Sequence, residues 1–166
     1  MARERRSIER TNQAEAAEIR DELRRIGRMM WEDLDPQRSQ FWVCREAGRR
    51  VAWVGLEIDG SKALLRSLYT ESGHRKLGIG RRLVRTAERE AAGLGVCEVY
   101  LFSTGAGGFF RSLGYAEAPV TDAVAALRNT PQVIWYLARS DLLAVEVAFC
   151  EAVGPLGKAE RGGPTR

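Results

Sequence analysis

Apolar residues recur along this chain in two rhythms, and the switches between them divide it into elements. Ala14, Ala17, Ile19, Leu23 and Ile26 are spaced as one face of a helix, with Asn12 placed to cap its start and Gly27 to end or bend it. Ser7 to Thr11, just ahead, reads as a short strand. Arg28 to Arg38 reads as a second short helical or loop piece closed by Asp35 and Pro36. Three runs of strand character come next, Phe41 to Glu46, Val51 to Asp59 and Lys62 to Thr70, parted by turn residues at Gly48 with Arg49 and at Gly60 with Ser61. Their short connections predict an antiparallel meander.

The rhythm then returns to helical. Gly80 to Leu94 carries Leu83, Val84, Ala87, Ala91 and Leu94 on one side, with Arg81, Arg82, Arg85, Glu88 and Arg89 mostly on the other. Cys97 to Ser103 is a strand former, and the helix joining it to the Lys62 to Thr70 run favours a parallel, right-handed crossover. Gly107 and Gly108 open a short helix through Phe109, Phe110 and Leu113 that ends at Gly114, and Tyr115 begins an extended segment. Pro119 to Asn129 reads as a small helix, with Val133 to Ala138 and Leu142 to Phe149 as final strands. No apolar pattern remains from Gly154 on, so the reading is one domain over residues 1–153 and a disordered tail over 154–166.

Composition narrows the class. With 166 residues, 45% of them apolar and 29% charged, the chain suits one soluble domain with a single core and excludes wholesale disorder. Charged residues break every apolar stretch well short of a membrane span, and the basic start MARERRSIERT is followed by Asn, Gln and Glu where a secretory signal would be apolar. A cytoplasmic protein without a membrane partner is expected. Cys44, Cys97 and Cys150 lie far apart in strand-like runs with no close Cys or His partner, which reads as buried reduced thiols and no metal. The net charge of +4 comes from arginine-rich segments, which suit a polyphosphate cofactor as well as nucleic acid. No basic motif interleaved with aromatics is present, so a nucleic-acid partner is disfavoured.

The sharpest chemical feature is Arg75-Lys76-Leu77-Gly78-Ile79-Gly80, set between a strand and a helix. Gly78 and Gly80 let backbone amides approach an anion, while the helix start and nearby arginines favour negative charge. The run lacks the Gly-Lys-Ser/Thr of a P-loop and the three glycines of a dinucleotide fold, and it comes after a meander, which demotes nucleotide hydrolysis and hydride transfer.

Leu68-Tyr69-Thr70 followed by Arg75-x-x-Gly78-x-Gly80-x-x-Leu83 resembles the coenzyme A signature of the GNAT acetyltransferases, and Phe110-Arg111-Ser112-Leu113-Gly114-Tyr115 resembles their closing helix-turn pattern. The order of elements from Ser7 to Phe149 fits that family. Within it, the phrases AWVGLE, ALLRSL and FFRSLGY, with the helix from Pro119 to Thr130, are most similar to N-acetyltransferase-like proteins of arsenic-resistance operons. The resemblance implies an α/β GNAT fold, with a mixed, mostly antiparallel sheet flanked by helices. It also implies that backbone groups of Leu68 and Thr70, flanking Tyr69, hold the pantetheine arm of acetyl-CoA. Amides from Lys76 through Leu77, Gly78, Ile79 and Gly80 to Arg81 would then hold the pyrophosphate, beside Arg75.

Acyl transfer needs a deprotonated amine, a polarised carbonyl and a protonated leaving thiolate. By period-two alternation Leu64, Arg66, Leu68 and Thr70 share one strand face, where family members often carry a Glu or His base at the positions of Leu64 or Arg66. Neither residue is a base, but Arg66 can bind a substrate carboxylate or oxyanion, or else pair with Glu57. Glu57 is the remaining carboxylate to relay a proton, with a solvated strand end as the alternative. Phe110 occupies the position of the family's tyrosine acid, so that acid is absent. Ser103 and Thr104 can hydrogen-bond substrate or a relay water, or simply cap the strand end. Tyr115 reads as packing, and Trp31, Trp42, Trp53 and Trp135 as core, with the lining of an acceptor pocket as the alternative. The expected reaction is direct acetyl transfer to a primary amine of a small, anionic acceptor, with a homodimer left open. A catalytically silent acyl-CoA-binding or regulatory protein is the alternative.

Overall fold

The computed structural model describes residues 6–27 and 31–154. Its elements run β1 (Ser7–Arg10), α1 (Gln13–Ile26), β2 (Gln40–Glu46), β3 (Arg49–Asp59), β4 (Lys62–Thr70), a 3-10 turn (Ser72–His74), α2 (Ile79–Gly93), β5 (Glu98–Phe102), α3 (Gly107–Ser112), β6 (Ala116–Ala118), α4 (Val120–Ala126), α5 (Pro131–Leu137), α6 (Ser140–Leu143) and β7 (Ala148–Ala152). The strands form one mixed sheet in the order β1-β2-β3-β4-β5-β7-β6. Two compact units divide the chain, the first being residues through Leu56 with Leu65–Ala87, the second Glu57–Leu64 with Glu88 onward. Among the described residues no helix is long and apolar enough to cross a membrane.

In the first unit, α1 forms where its spacing predicts, although Ala14 is exposed and Ala17 half-buried, and Ala16 takes the inner position. The Asn12 side chain accepts from Glu15 N at 2.9 Å, and Gly27, at φ 66°, closes the helix in the left-handed conformation that glycine adopts without steric cost. Its buried face, Ala16, Ile19 and Leu23, packs with Leu34, Phe41, Val43 and Trp53. Each fully buried large side chain there contributes about 2 kcal/mol. Arg50 on β3 reaches back to Glu15 and Glu22 of α1 at 3.0 Å each, so the helix is held by charge as well as by its apolar stripe. β1 and β2 pair antiparallel, as do β2 and β3. The β2–β3 turn is Ala47–Gly48, both at positive φ as a two-residue hairpin turn requires, one residue earlier than the sequence suggests. Of the expected Arg28 to Arg38 piece, residues 28–30 lie outside the described residues, and the remainder makes turns and no helix.

In the second unit, Lys62, Ala63 and Leu64 pair in parallel with Glu98, Val99 and Tyr100, as the crossover argument requires. β7 pairs antiparallel with both β5 and β6. Leu64, Tyr100, Ala123, Leu127, Val133 and Ala148 form the core. The two final strands expected from the sequence are not both present. Val133 to Leu137 belongs to helix α5, with Ala138 at its C-terminal cap, the residues from Leu142 begin in helix α6, and only Ala148–Ala152 is strand. Thr130 accepts from Val133 N through its hydroxyl and Pro131 sits in the first turn, so a capped helix start outweighs the strand propensity of the apolar run. Leu94, expected on the inner face of α2, lies past the helix end and is exposed, whereas Glu88, expected on the outer face, is buried. The expected tail beyond Gly154 lies outside the described residues.

Candidate coenzyme site and candidate catalytic residues

The turn from Arg75 to Gly80 lies in the first unit. Lys76 at φ 61° and Gly78 at φ 76° are both left-handed, an alternation that turns successive amides toward one side. The first bond of α2 runs from Arg82 N to Gly78 O at 3.1 Å, so the amides of Gly78, Ile79 and Gly80 stand at the open, partially positive end of a fifteen-residue helix. Arg75, Lys76, Leu77, Gly78, Arg81 and Arg82 are exposed, while Ile79 is buried and anchors the turn. A β-carbon at Gly78 would meet no neighbouring atom, so glycine is required there by its φ and not by crowding. Gly80 has no positive φ. The residues fit a diphosphate: amides at the start of a helix, exposed basic flanks and an exposed Gly78. Leu68, Tyr69 and Thr70, at the end of β4, are all half-buried.

β4 does not keep the simple alternation expected of it. Ser67 sits at φ 55°, a left-handed residue inside a strand, and this break shifts the phase of the residues after it. Tyr69 stacks on Trp53, with ring centroids 4.6 Å apart, and Arg66 passes the same face at Gly55. Arg66 and Tyr69 therefore share a face, which corrects the grouping of Arg66 with Leu68 and Thr70.

Arg66 is buried, with a side chain only 2% exposed, and its guanidinium grips Asp33 in two bonds, Nη1 to Oδ2 at 2.6 Å and Nη2 to Oδ1 at 3.1 Å. Asp33, unmarked by any motif in the sequence, is thus a partner for this buried cation. A contact between residues 33 positions apart in a loop and a strand leaves no periodic signal.

Glu57, Ser103 and Thr104 lie in the second unit. Glu57 is 1% exposed and precedes the end of β3, so it is not a solvated strand end. Its Oε2 accepts from Gln132 N at 3.3 Å, in the first turn of α5. Ser103 accepts from Ala106 N at 3.0 Å, a cap on the turn after β5, and Thr104 is exposed. Phe110 is buried, edge-on to both Phe109 and Tyr115. The Tyr115 hydroxyl donates to buried Glu88 at 3.0 Å, a pair that sequence spacing does not reveal.

Of the cysteines, Cys44 is buried, Cys150 half-buried and Cys97 exposed, which corrects the expectation of three buried thiols; all three are free. Burial pushes the Cys150 thiol up to about 11 and raises Cys44 as well. Among the described residues no group of three His, Cys, Asp or Glu side chains is placed to hold a metal ion.

Residues 37–117 match the family model described as an acetyltransferase (GNAT) domain. No curated protein sequence matches the chain. Among solved structures, a GNAT-family acetyltransferase from Staphylococcus aureus Mu50 superposes with a TM-score of 0.67 at 17% identity, covering 90% of this chain and 99% of that one. A Mycobacterium tuberculosis protein solved with coenzyme A superposes at 0.66 and 16% identity, covering 87% and 97%. The ribosomal-protein-S18-alanine N-acetyltransferase of Escherichia coli superposes at 0.59 and 15% identity, covering 90% and 95%. At these identities the likeness is one of fold.

Proposed function

We propose that this chain, which has the GNAT fold and matches a GNAT acetyltransferase domain model over residues 37–117, transfers an acetyl group from acetyl-CoA directly to a primary amine of a small acceptor. The observation that carries this reading is the Arg75–Arg81 turn, with left-handed Lys76 and Gly78 opening amides at the start of α2. Acetyl-CoA is a substrate here, supplying a thioester carbonyl. The amine nitrogen attacks that carbon, the carbon–sulfur bond breaks, the nitrogen gives up a proton and the sulfur takes one. Backbone groups of Leu68 and Thr70 would hold the pantetheine arm beside Tyr69. Amides from Lys76 to Arg81 would take the pyrophosphate, with Arg75 adding charge.

Glu57 is the candidate to accept or relay the amine proton, and Ser103 and Thr104 the candidates to hold a water. Phe110 offers no proton, which leaves the thiolate to water or to another group. Arg66 would support an anionic acceptor only if its charge lacked a protein partner. The bidentate grip of Asp33 supplies one, and the acceptor is therefore proposed only as a small amine. The kinship with arsenic-resistance operon proteins rests on the sequence phrases alone. A cytoplasmic, metal-free protein, partnered by a small amine and not by nucleic acid, completes the reading, with a homodimer open.

A second reading, a catalytically silent acyl-CoA-binding protein, is favoured by one observation: Arg66 and Ser103 are both engaged by protein groups. Calorimetry with acetyl-CoA tests the shared premise. Wild type should bind, and Gly78→Val, which places a β-branched residue at φ 76°, should lose at least ten-fold in affinity. Equal binding by a folded Gly78→Val variant would sink the cradle. Free-thiol release over a panel of primary amines then separates the readings, since only an enzyme releases coenzyme A in proportion to acceptor.

A further inference from the structure

Between β4 and α2 the chain makes a single 3-10 turn, Ser72–His74, and then presents the Arg75–Gly80 turn. Bonds to neighbouring segments hold this connection in place. Glu71 N donates to Val51 O at 3.0 Å, and the Glu71 carboxylate accepts from Arg49 at 2.8 Å. Arg75 Nε donates to Thr70 O at 3.0 Å. A further bond comes from the chain's one histidine. His74 Nε2 lies 2.7 Å from Glu46 Oε2, at the end of β2, and Glu46 is braced from its other oxygen by Arg6 Nε at 2.7 Å. The second ring nitrogen, Nδ1, is 3.6 Å from Glu71 Oε2, and the His74 side chain is only 15% exposed.

The position of this ring matters because of the residues just beyond it. Lys76 and Gly78, two and four residues on, are the left-handed residues that aim the turn's amides. Hydrogen bonds to an anion weaken steeply with misdirection, and a misplacement of about 1 Å can cost two orders of magnitude in a positioned site. The His74 ring ties the turn just before those residues to the end of β2.

We propose that His74, clamped by Glu46, is a positioning residue for acetyl-CoA: it fixes the direction of the amides from Lys76 to Gly80 through the backbone and thereby sets coenzyme affinity. The proposal rests on the reading of the Arg75–Arg81 turn as a coenzyme cradle. It goes beyond that reading by extending the coenzyme machinery to Glu46 on β2 and to Arg6, just ahead of β1.

The test uses the full chain, with acetyl-CoA as probe, by calorimetry and by steady-state kinetics. His74→Phe keeps a ring and loses the bond to Glu46; Glu46→Gln keeps the shape and loses the charge. Each should raise Kd and KM for acetyl-CoA roughly ten-fold, the scale of one charge-assisted hydrogen bond, with little change in kcat at saturating coenzyme. His74→Gln, which can still donate to Glu46, should recover most of the affinity. A wild type that fails to bind acetyl-CoA overturns the cradle and the role of His74 together. A wild type that binds, beside folded His74→Phe or Glu46→Gln variants with unchanged Kd, leaves the cradle standing and overturns the positioning role alone. A lowered melting temperature at unchanged affinity, or a loss confined to kcat, overturns it too.

Discussion

Glycine stands at position 55 because of its neighbours. A β-carbon there would lie 2.8 Å from the Phe41 ring and 3.2 Å from Cγ of Arg66, and Phe41 is wholly buried against α1. The Arg66 stem uses the space to reach Asp33. Gly55→Ala should cost about 1–3 kcal/mol, read as a lowered urea midpoint. Arg66→Met and Asp33→Leu should each cost about 3–5 kcal/mol, because each leaves a buried charge without that partner, whereas the double variant should cost much less than their sum. Additive losses would show that the pair does not hold the 31–39 segment to the sheet. Neither Gly55 nor Asp33 stands out in the sequence. A glycine in a strand of apolar residues and an aspartate in a loop gain meaning only from residues brought beside them by folding.

At the scale of elements, the legible parts are those with a repeat or a cap. α1 carries its stripe, its Asn12 cap and its closing Gly27 in consecutive sequence, and the meander carries turn residues between its strands. The Arg75–Gly80 turn between β4 and α2 is legible for the same reason, its glycines and basic residues being contiguous. α5 reads as a strand although its start signal, Thr130-Pro131, is local; the apolar run Val133 to Ala138 is too short for periodicity to decide between helix and strand. β4 departs from its expected alternation at Ser67, whose left-handed backbone interrupts the strand, and nothing in the letters Arg-Ser-Leu marks it. The candidate catalytic side chains are legible only as residue types. That Glu57 is buried against the first turn of α5 cannot be inferred while α5 is taken for a strand.

For the molecule as a whole, the carboxylates on its arginine-rich surface set its response to acid. The hydrogen bond from His74 holds the Glu46 carboxyl below the usual carboxylate range, with Arg6 adding to it against some burial, and Ser7 and Arg45 do the same for Glu9. A group whose folded pKa is depressed contributes stability above its unfolded value and loses it as pH falls through the folded one. Stability should therefore be flat above the carboxylate range and decline below it. Urea midpoints from pH 7 to pH 3 should fall less steeply in Glu46→Gln, and a wild-type profile that rises toward acid would contradict the assignment. The three free thiols differ in a way that has a practical outcome. Cys97 is exposed, Cys44 is sealed in the core, and Cys150 is half-covered with its thiol raised to about 11. A maleimide dye near neutral pH should couple to one sulfur per native chain and to three after denaturation, as mass spectrometry would count. Residue 97 then becomes a ready-made attachment point, needing no engineered cysteine, from which a fluorophore beside the start of β5 can report on this protein at work.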